Sequence, residues 1–148
     1  MRVRKIYLAS SWRNPYYPTI LAALRELGHE VYDFRNPVPG NTGFSWAEID
    51  PDWQSWTPER FAEVLATSPI AAKGFAFDAA GLDWCDTCVT VLPCGRSAHL
   101  ELGYAAGQGK ETFVLLHQLG FEPELMYLLN TSVCTDLVQL ADRLAGIA

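Results

Sequence analysis

Glu101 lies in the stretch CGRSAHLELGYAAGQGK, residues 94–110, among Gly, Ala, Ser and Leu, just after the apolar run TCVTVLP. A capping box would explain a Glu early in a helix, but it needs a Ser or Thr three residues ahead. Ser97 lies four residues ahead instead. At helical spacing Ser97, Glu101, Tyr104 and Gln108 share one face, and Ala98, Leu102 and Ala105 share another. Gly103, Gly107 and Gly109 cost helix propensity, and with Ala106 they are expected to let the backbone pack closely on its neighbours. A helix that accepts this cost while aiming a carboxylate at the strand ends reads as a site. Asp78, Asp83 and Asp86 precede the apolar run. Paired carboxylates suit acid–base work, because burial and like charge can leave one of them protonated near neutral pH. Asp83 reads best as an ordinary solvated acid.

Gly95-Arg96-Ser97 stands where a strand ends and a helix opens. Free N–H groups and the positive dipole end favour an anion there, with Arg96 adding charge and Ser97 a hydroxyl. The alternative is a plain strand–helix turn capped by Ser97. WCDTC (84–88) copies a redox W-C-x-x-C superficially, but the pair leads into a strand rather than opening a helix, so nothing lowers the thiol pKa. A zinc site from Cys85, Cys88, Cys94 and His99 lacks a second close ligand pair, and buried structural cysteines are the favoured reading. Trp46, Trp53 and Trp56 either stack on a base or fold their own loop onto the body. His29, His99 and His117 form no triad with a nucleophilic Ser or Cys.

The elements that must position these groups alternate. KIYLAS (5–10), EVYDF (30–34), TCVTVLP (87–93), ETFVLLH (111–117) and TSVCT (131–135) read as strands. PTILAALRELG (18–28), TPERFAEVLATS (57–68), a segment through FAFDAAGLDWCD, the Gly/Ala stretch, PELMYLL and DLVQLADRLAGI read as helices. Thr57 is the expected N-cap of the second, with Pro58 at its first position. About five parallel strands with helices on both faces make a flavodoxin-like, doubly wound α/β sandwich, which binds ligands beyond the carboxyl ends of its strands. The 148 residues suit one domain, 1–148, with 35–57 as a Trp-rich loop or lid.

The chain is 49% hydrophobic and 19% charged, with a net charge of −6. That balance fits a globular protein and argues against a nucleic-acid polymer as partner, while a single nucleotide remains within reach of one or two arginines. No apolar stretch has the length of a membrane span, and MRVRKIYLASSW lacks the apolar region of a signal peptide. With four cysteines, this points to reduced thiols in the cytoplasm.

IYLASSW (6–12), the D-x7-D from Asp78 to Asp86, and LPCGRSAHLELGYAAGQGK (92–110) together resemble the nucleoside 2-deoxyribosyltransferase family, including its nucleoside 5′-monophosphate N-glycosidase relatives. The resemblance implies that Glu101, in the family's E-x-G pattern with Gly103, is a nucleophile that attacks the anomeric carbon. It implies Asp78 as the acid that protonates the departing base and Tyr7 as the residue that orients the Glu. Ser10, Ser11, Arg13, Trp46, Asp86, Gly95, Arg96 and Ser97 are the expected substrate contacts. Nucleoside-acting members commonly carry an acid six positions before the Glu, and this chain has Gly95, beside Arg96 and Ser97. That departure favours a 5′-phosphate. The resemblance further implies a homodimer or larger homo-oligomer and no metal or organic cofactor. The rival from another class is a non-catalytic nucleotide-binding or sensing module on the same fold.

Overall fold

Residues 2–117 and 120–147 are described by a computed structural model, in which the chain forms two compact units. Residues 1–33 and 84–148 make the first unit, and residues 34–83 the second.

The first unit holds a five-stranded sheet: β1 Lys5–Ala9, β2 Glu30–Asp33, β3 Thr87–Val91, β4 Glu111–Leu115 and β5 Ser132–Cys134. All neighbours pair in parallel, in the order β2-β1-β3-β4-β5. This is the flavodoxin-like order, whose switch point lies between β1 and β3. β3 is buried along its whole length and β1 from Ile6 onward, as expected of strands covered on both faces. The expected strands end one or two residues late at their C-termini, because residues such as 92–93 and 116–117 already belong to the connections.

Three helices cover this sheet: α1 Tyr17–Glu26, α4 Arg96–Gly107 and α5 Leu137–Leu144. In α1 the core positions are Tyr17, Ile20 and Leu24, Pro18 sits in the first turn, and Gly28 ends the helix at φ 93°. In α5 the Asp136 carboxylate accepts from Gln139 N at 2.8 Å, and Leu140 and Leu144 turn inward. The Tyr17 hydroxyl of α1 donates to Asp33 at 2.7 Å, and Asp33 is in register with Leu8. Tyr7, one residue away and so on the opposite face, reaches Glu101 of α4. The two helices therefore lie on opposite faces of the sheet. PELMYLL, expected as an α-helix, is a 3-10 segment over Leu125–Leu129, a five-residue stretch too short to develop α-helical turns.

The N-terminal edge of the sheet carries an ionic network. Arg4 is buried; its Nε donates to Leu144 O at 2.7 Å and its Nη1 to Thr87 Oγ1 at 3.0 Å, and it is paired with Glu111. Asp86 accepts from Lys5 N at 3.2 Å and from Thr87 Oγ1 at 2.7 Å, with Arg2 3.6 Å away.

The second unit holds 3-10 turns at Trp46–Glu48 and Trp53–Ser55, then α2 Pro58–Thr67 and α3, which runs Pro69–Trp84. Thr57 caps α2 by accepting from Arg60 N at 3.1 Å, and Pro58 occupies its first turn. Trp46 meets Phe44, Trp56 and Phe61 edge-on, at 4.7, 6.0 and 5.6 Å between centroids. The Trp56 indole donates to Asp50 at 2.8 Å. Trp46 and Trp56 thus pack within this segment.

Candidate active site

Glu101 occupies the second turn of α4, and β1 places Tyr7 beneath it. Tyr7 is fully buried, its ring stacks on Tyr32 at 5.1 Å between centroids, and its hydroxyl donates to Glu101 Oε2. A rigid phenol on a central strand thus fixes a half-buried carboxylate. Sheet-facing Ala98, Leu102 and Ala105 seat the helix, as the spacing predicts. The glycines behave differently from expectation. A Cβ added at Gly103, Gly107 or Gly109 would meet nothing within 4 Å, so they make no close packing among the described residues. The packing role belongs to the two alanines, which the sequence also supplies.

Gly95 is the N-cap of α4, in an extended conformation, and no side chain caps the helix. Ser97 is the second helical residue rather than the cap, so the plain capped turn is not what forms. His99 braces this turn. Its Nδ1 lies 2.7 Å from Gly95 O and its Nε2 2.9 Å from the Tyr127 hydroxyl. The carbonyl can only accept, so Nδ1 carries the proton and Nε2 accepts from Tyr127.

The loop after β1 contributes Ser10, Ser11 and Arg13 at the same sheet edge. Ser11 Oγ accepts from Arg13 N at 3.1 Å, which closes a tight local turn. Ser10 is different. It is buried and donates to Val91 O at 2.9 Å, so its hydroxyl is committed to joining β1 to β3. Asn14, which the sequence reading passed over, is 1% exposed and donates to Ser10 Oγ, Val91 O and Pro93 O at 3.0, 3.4 and 3.3 Å. An Asn just past a strand end, where the chain must turn, is the signal that could have marked it.

Asp86 precedes β3, at the end of the strand remote from the turn that opens α4. Asp86 ties the N-terminal ends of β1 and β3 together and does not join Tyr7 and Glu101. Asp78 lies in α3 and Trp46 in its aromatic cluster, both within the second unit.

The thiols are held toward their protonated form. Burial, with the Cys85 and Glu101 charges adding, pushes Cys88 far up, and burial followed by the Glu101 carboxylate pushes Cys94 up to about 11. Burial likewise raises Cys85. Among the described residues, no group of three or more His, Cys, Asp or Glu is placed to hold a metal ion, and no helix is long and apolar enough to cross a membrane.

No family model matches the chain, and no curated protein matches it. Solved structures do. A 2-deoxyribosyltransferase from Bacillus psychrosaccharolyticus superposes with a TM-score of 0.59 at 18% identity, over 93% of this chain and 90% of that one. The fold is that of a 2-deoxyribosyltransferase. A CMP N-glycosidase of Clostridium botulinum is a weaker likeness, with a TM-score of 0.48 at 15% identity over 95% of this chain and 97% of that one.

Proposed function

We propose that the protein cleaves the N-glycosidic bond of a (deoxy)nucleoside or nucleoside 5′-monophosphate and passes the sugar to another base or to water. The observation that carries this reading is the Glu101 carboxylate held by Tyr7, on the helix that opens at the carboxyl end of β3, the end at which this fold class binds ligands. Glu101 attacks the anomeric carbon, an ester forms, and the carbon–nitrogen bond breaks. Asp78 gives its proton to the departing base. An incoming base or water then attacks the same carbon and frees Glu101, and the proton it sheds returns to Asp78. The solved structure that the fold matches is named as a 2-deoxyribosyltransferase, and this chemistry suits that name. Side chains alone perform every step.

The phosphate preference rests on the α4 turn. Gly95 brings no charge, Arg96 brings a positive one, and the helix opens without a side-chain cap. Ser11 and Arg13 stand on the neighbouring loop. Trp46 and the segment around it are the proposed selectors of the base. Exposed Leu100, Leu125, Met126, Leu128 and Leu129 support self-association into a homodimer or larger assembly.

The test is incubation with a panel of deoxynucleosides and their 5′-monophosphates. Free base released by the wild type and not by Glu101→Gln, with a sugar adduct on the wild type by mass spectrometry, is the expected result. Tight binding without turnover by both proteins would replace this reading with a nucleotide sensor.

A further inference from the structure

In a doubly wound sheet, the connections that leave β1 and β3 run to opposite faces, so the chain splits open between those two strand ends. The split exposes backbone groups that the sheet no longer pairs. The β1–β3 ladder ends at Ala9 and Thr90. Val91 is one residue beyond, and Leu92 N already bonds to Leu115 O of β4. The buried Val91 carbonyl therefore needs another partner, and Pro93 O, in an exposed residue, lies within reach of the same side chain.

Ser10 and Asn14 supply that partner. Ser10 Oγ donates to Val91 O at 2.9 Å, and Asn14 Nδ2 faces Ser10 Oγ, Val91 O and Pro93 O at 3.0, 3.4 and 3.3 Å. Asn14 Oδ1 accepts from Tyr16 N at 2.8 Å, which orients the amide. The side chain is thus fixed at both ends and almost wholly buried. The distance in sequence from Pro93 to the α4 N-cap Gly95 is two residues. Whatever sets Pro93 O sets the turn that carries Gly95, Arg96 and Ser97.

We infer that Asn14, with Ser10, is the positioning residue that holds the Gly95–Ser97 turn in place for a 5′-phosphate. This inference rests on the nucleotide reading above and sharpens it: the phosphate contacts depend on a side chain that touches no substrate. Glu101 is secured separately through Tyr7, so the reacting end of the substrate depends less on this seam than the phosphate end does. The effect of losing Asn14 is consequently unequal. A residue that served the fold alone would weaken both ends in step.

The experiment measures dissociation constants of a deoxynucleoside 5′-monophosphate and its parent deoxynucleoside, by calorimetry, on the wild type, Asn14→Ala and Ser10→Ala. The wild type is expected to prefer the monophosphate. Asn14→Ala should weaken the monophosphate about tenfold more than the nucleoside, the scale of one well-placed polar contact. Ser10→Ala, which removes one hydroxyl, should shift the ratio in the same direction by a smaller factor. If Asn14→Ala does not fold, Ser10→Ala decides the matter alone. A wild type indifferent to the phosphate, or variants that lose both ligands in parallel or neither, overturns the inference. Failure of the glycosidase reading looks different: the wild type then binds the monophosphate selectively and releases no base.

Discussion

Tyr7→Phe isolates one hydroxyl. Tyr7 is fully buried and its ring stacks on Tyr32 at 5.1 Å between centroids and 15° between planes, so Phe keeps the packing and removes the hydroxyl that bonds Glu101. A hydrogen bond to a charged group contributes about 1.5–3 kcal/mol. If the bond serves to aim the carboxylate, its loss appears in the transition state, and kcat should fall roughly 10- to 150-fold. The fold loses the same bond, and for a chain of this size each kcal/mol moves the melting temperature by about 2–4 °C. A drop of several degrees therefore reports that the bond was present and has gone. The assay is single-turnover release of free base at saturating substrate, with a melting curve on the same preparation. A variant that melts lower yet turns over within twofold of wild type refutes the reasoning, because the bond would then hold the fold without aiming the nucleophile.

Three further outcomes follow from the same geometry. His29 is buried and accepts from Arg4 N at 3.1 Å, and burial, then the Arg4 charge, holds its pKa below the ordinary value. The unfolded chain takes up that proton below pH about 6.5 while the folded one resists it. Stability should thus decline as pH falls through that range, and His29→Gln should flatten the decline in melting curves. Arg4→Met should cost about 2 kcal/mol in denaturant unfolding, since it strips the bonds to Leu144 O and Thr87, while Glu111, its side chain 44% exposed, rehydrates; a loss under 0.5 kcal/mol would contradict the network's role. Alkylation at pH 7.5 should be slow for every thiol in the folded chain. Cys94, at about 11, holds roughly one thiolate in three thousand, and fast reaction there would revive the redox reading.

The order of elements was legible because each strand is short, apolar and bounded by small residues or prolines, and because Thr57 and Pro58 mark a helix start unmistakably. The Tyr7–Glu101 pair was legible only through resemblance, since 94 residues separate its members. Asp86 was named through the resemblance, and its place at the N-terminal ends of β1 and β3, bonded to Lys5 N and Thr87 Oγ1, follows only from the pairing of strands distant in sequence. Asn14, and the structural bond that Ser10 makes, escaped for a different reason. Their partners are the backbone carbonyls of Val91 and Pro93, and a carbonyl has no letter in the sequence. The glycines of α4 suggested close contact by their size alone, and size does not say which way a helix face points.

The ionic network of Arg2, Arg4, Asp86 and Glu111 gathers the N-terminal ends of β1, β3 and β4. Tyr7 stands two residues along the strand from Lys5 and pairs with Cys88, the neighbour of Thr87. About 7 Å of strand therefore separates the clamp that makes the sheet durable from the phenol that holds the carboxylate, a spacing at which substitutions stop being additive. A protein engineer who hardens that edge for heat or solvent should follow turnover along with the melting point, because the two properties share one stretch of strand.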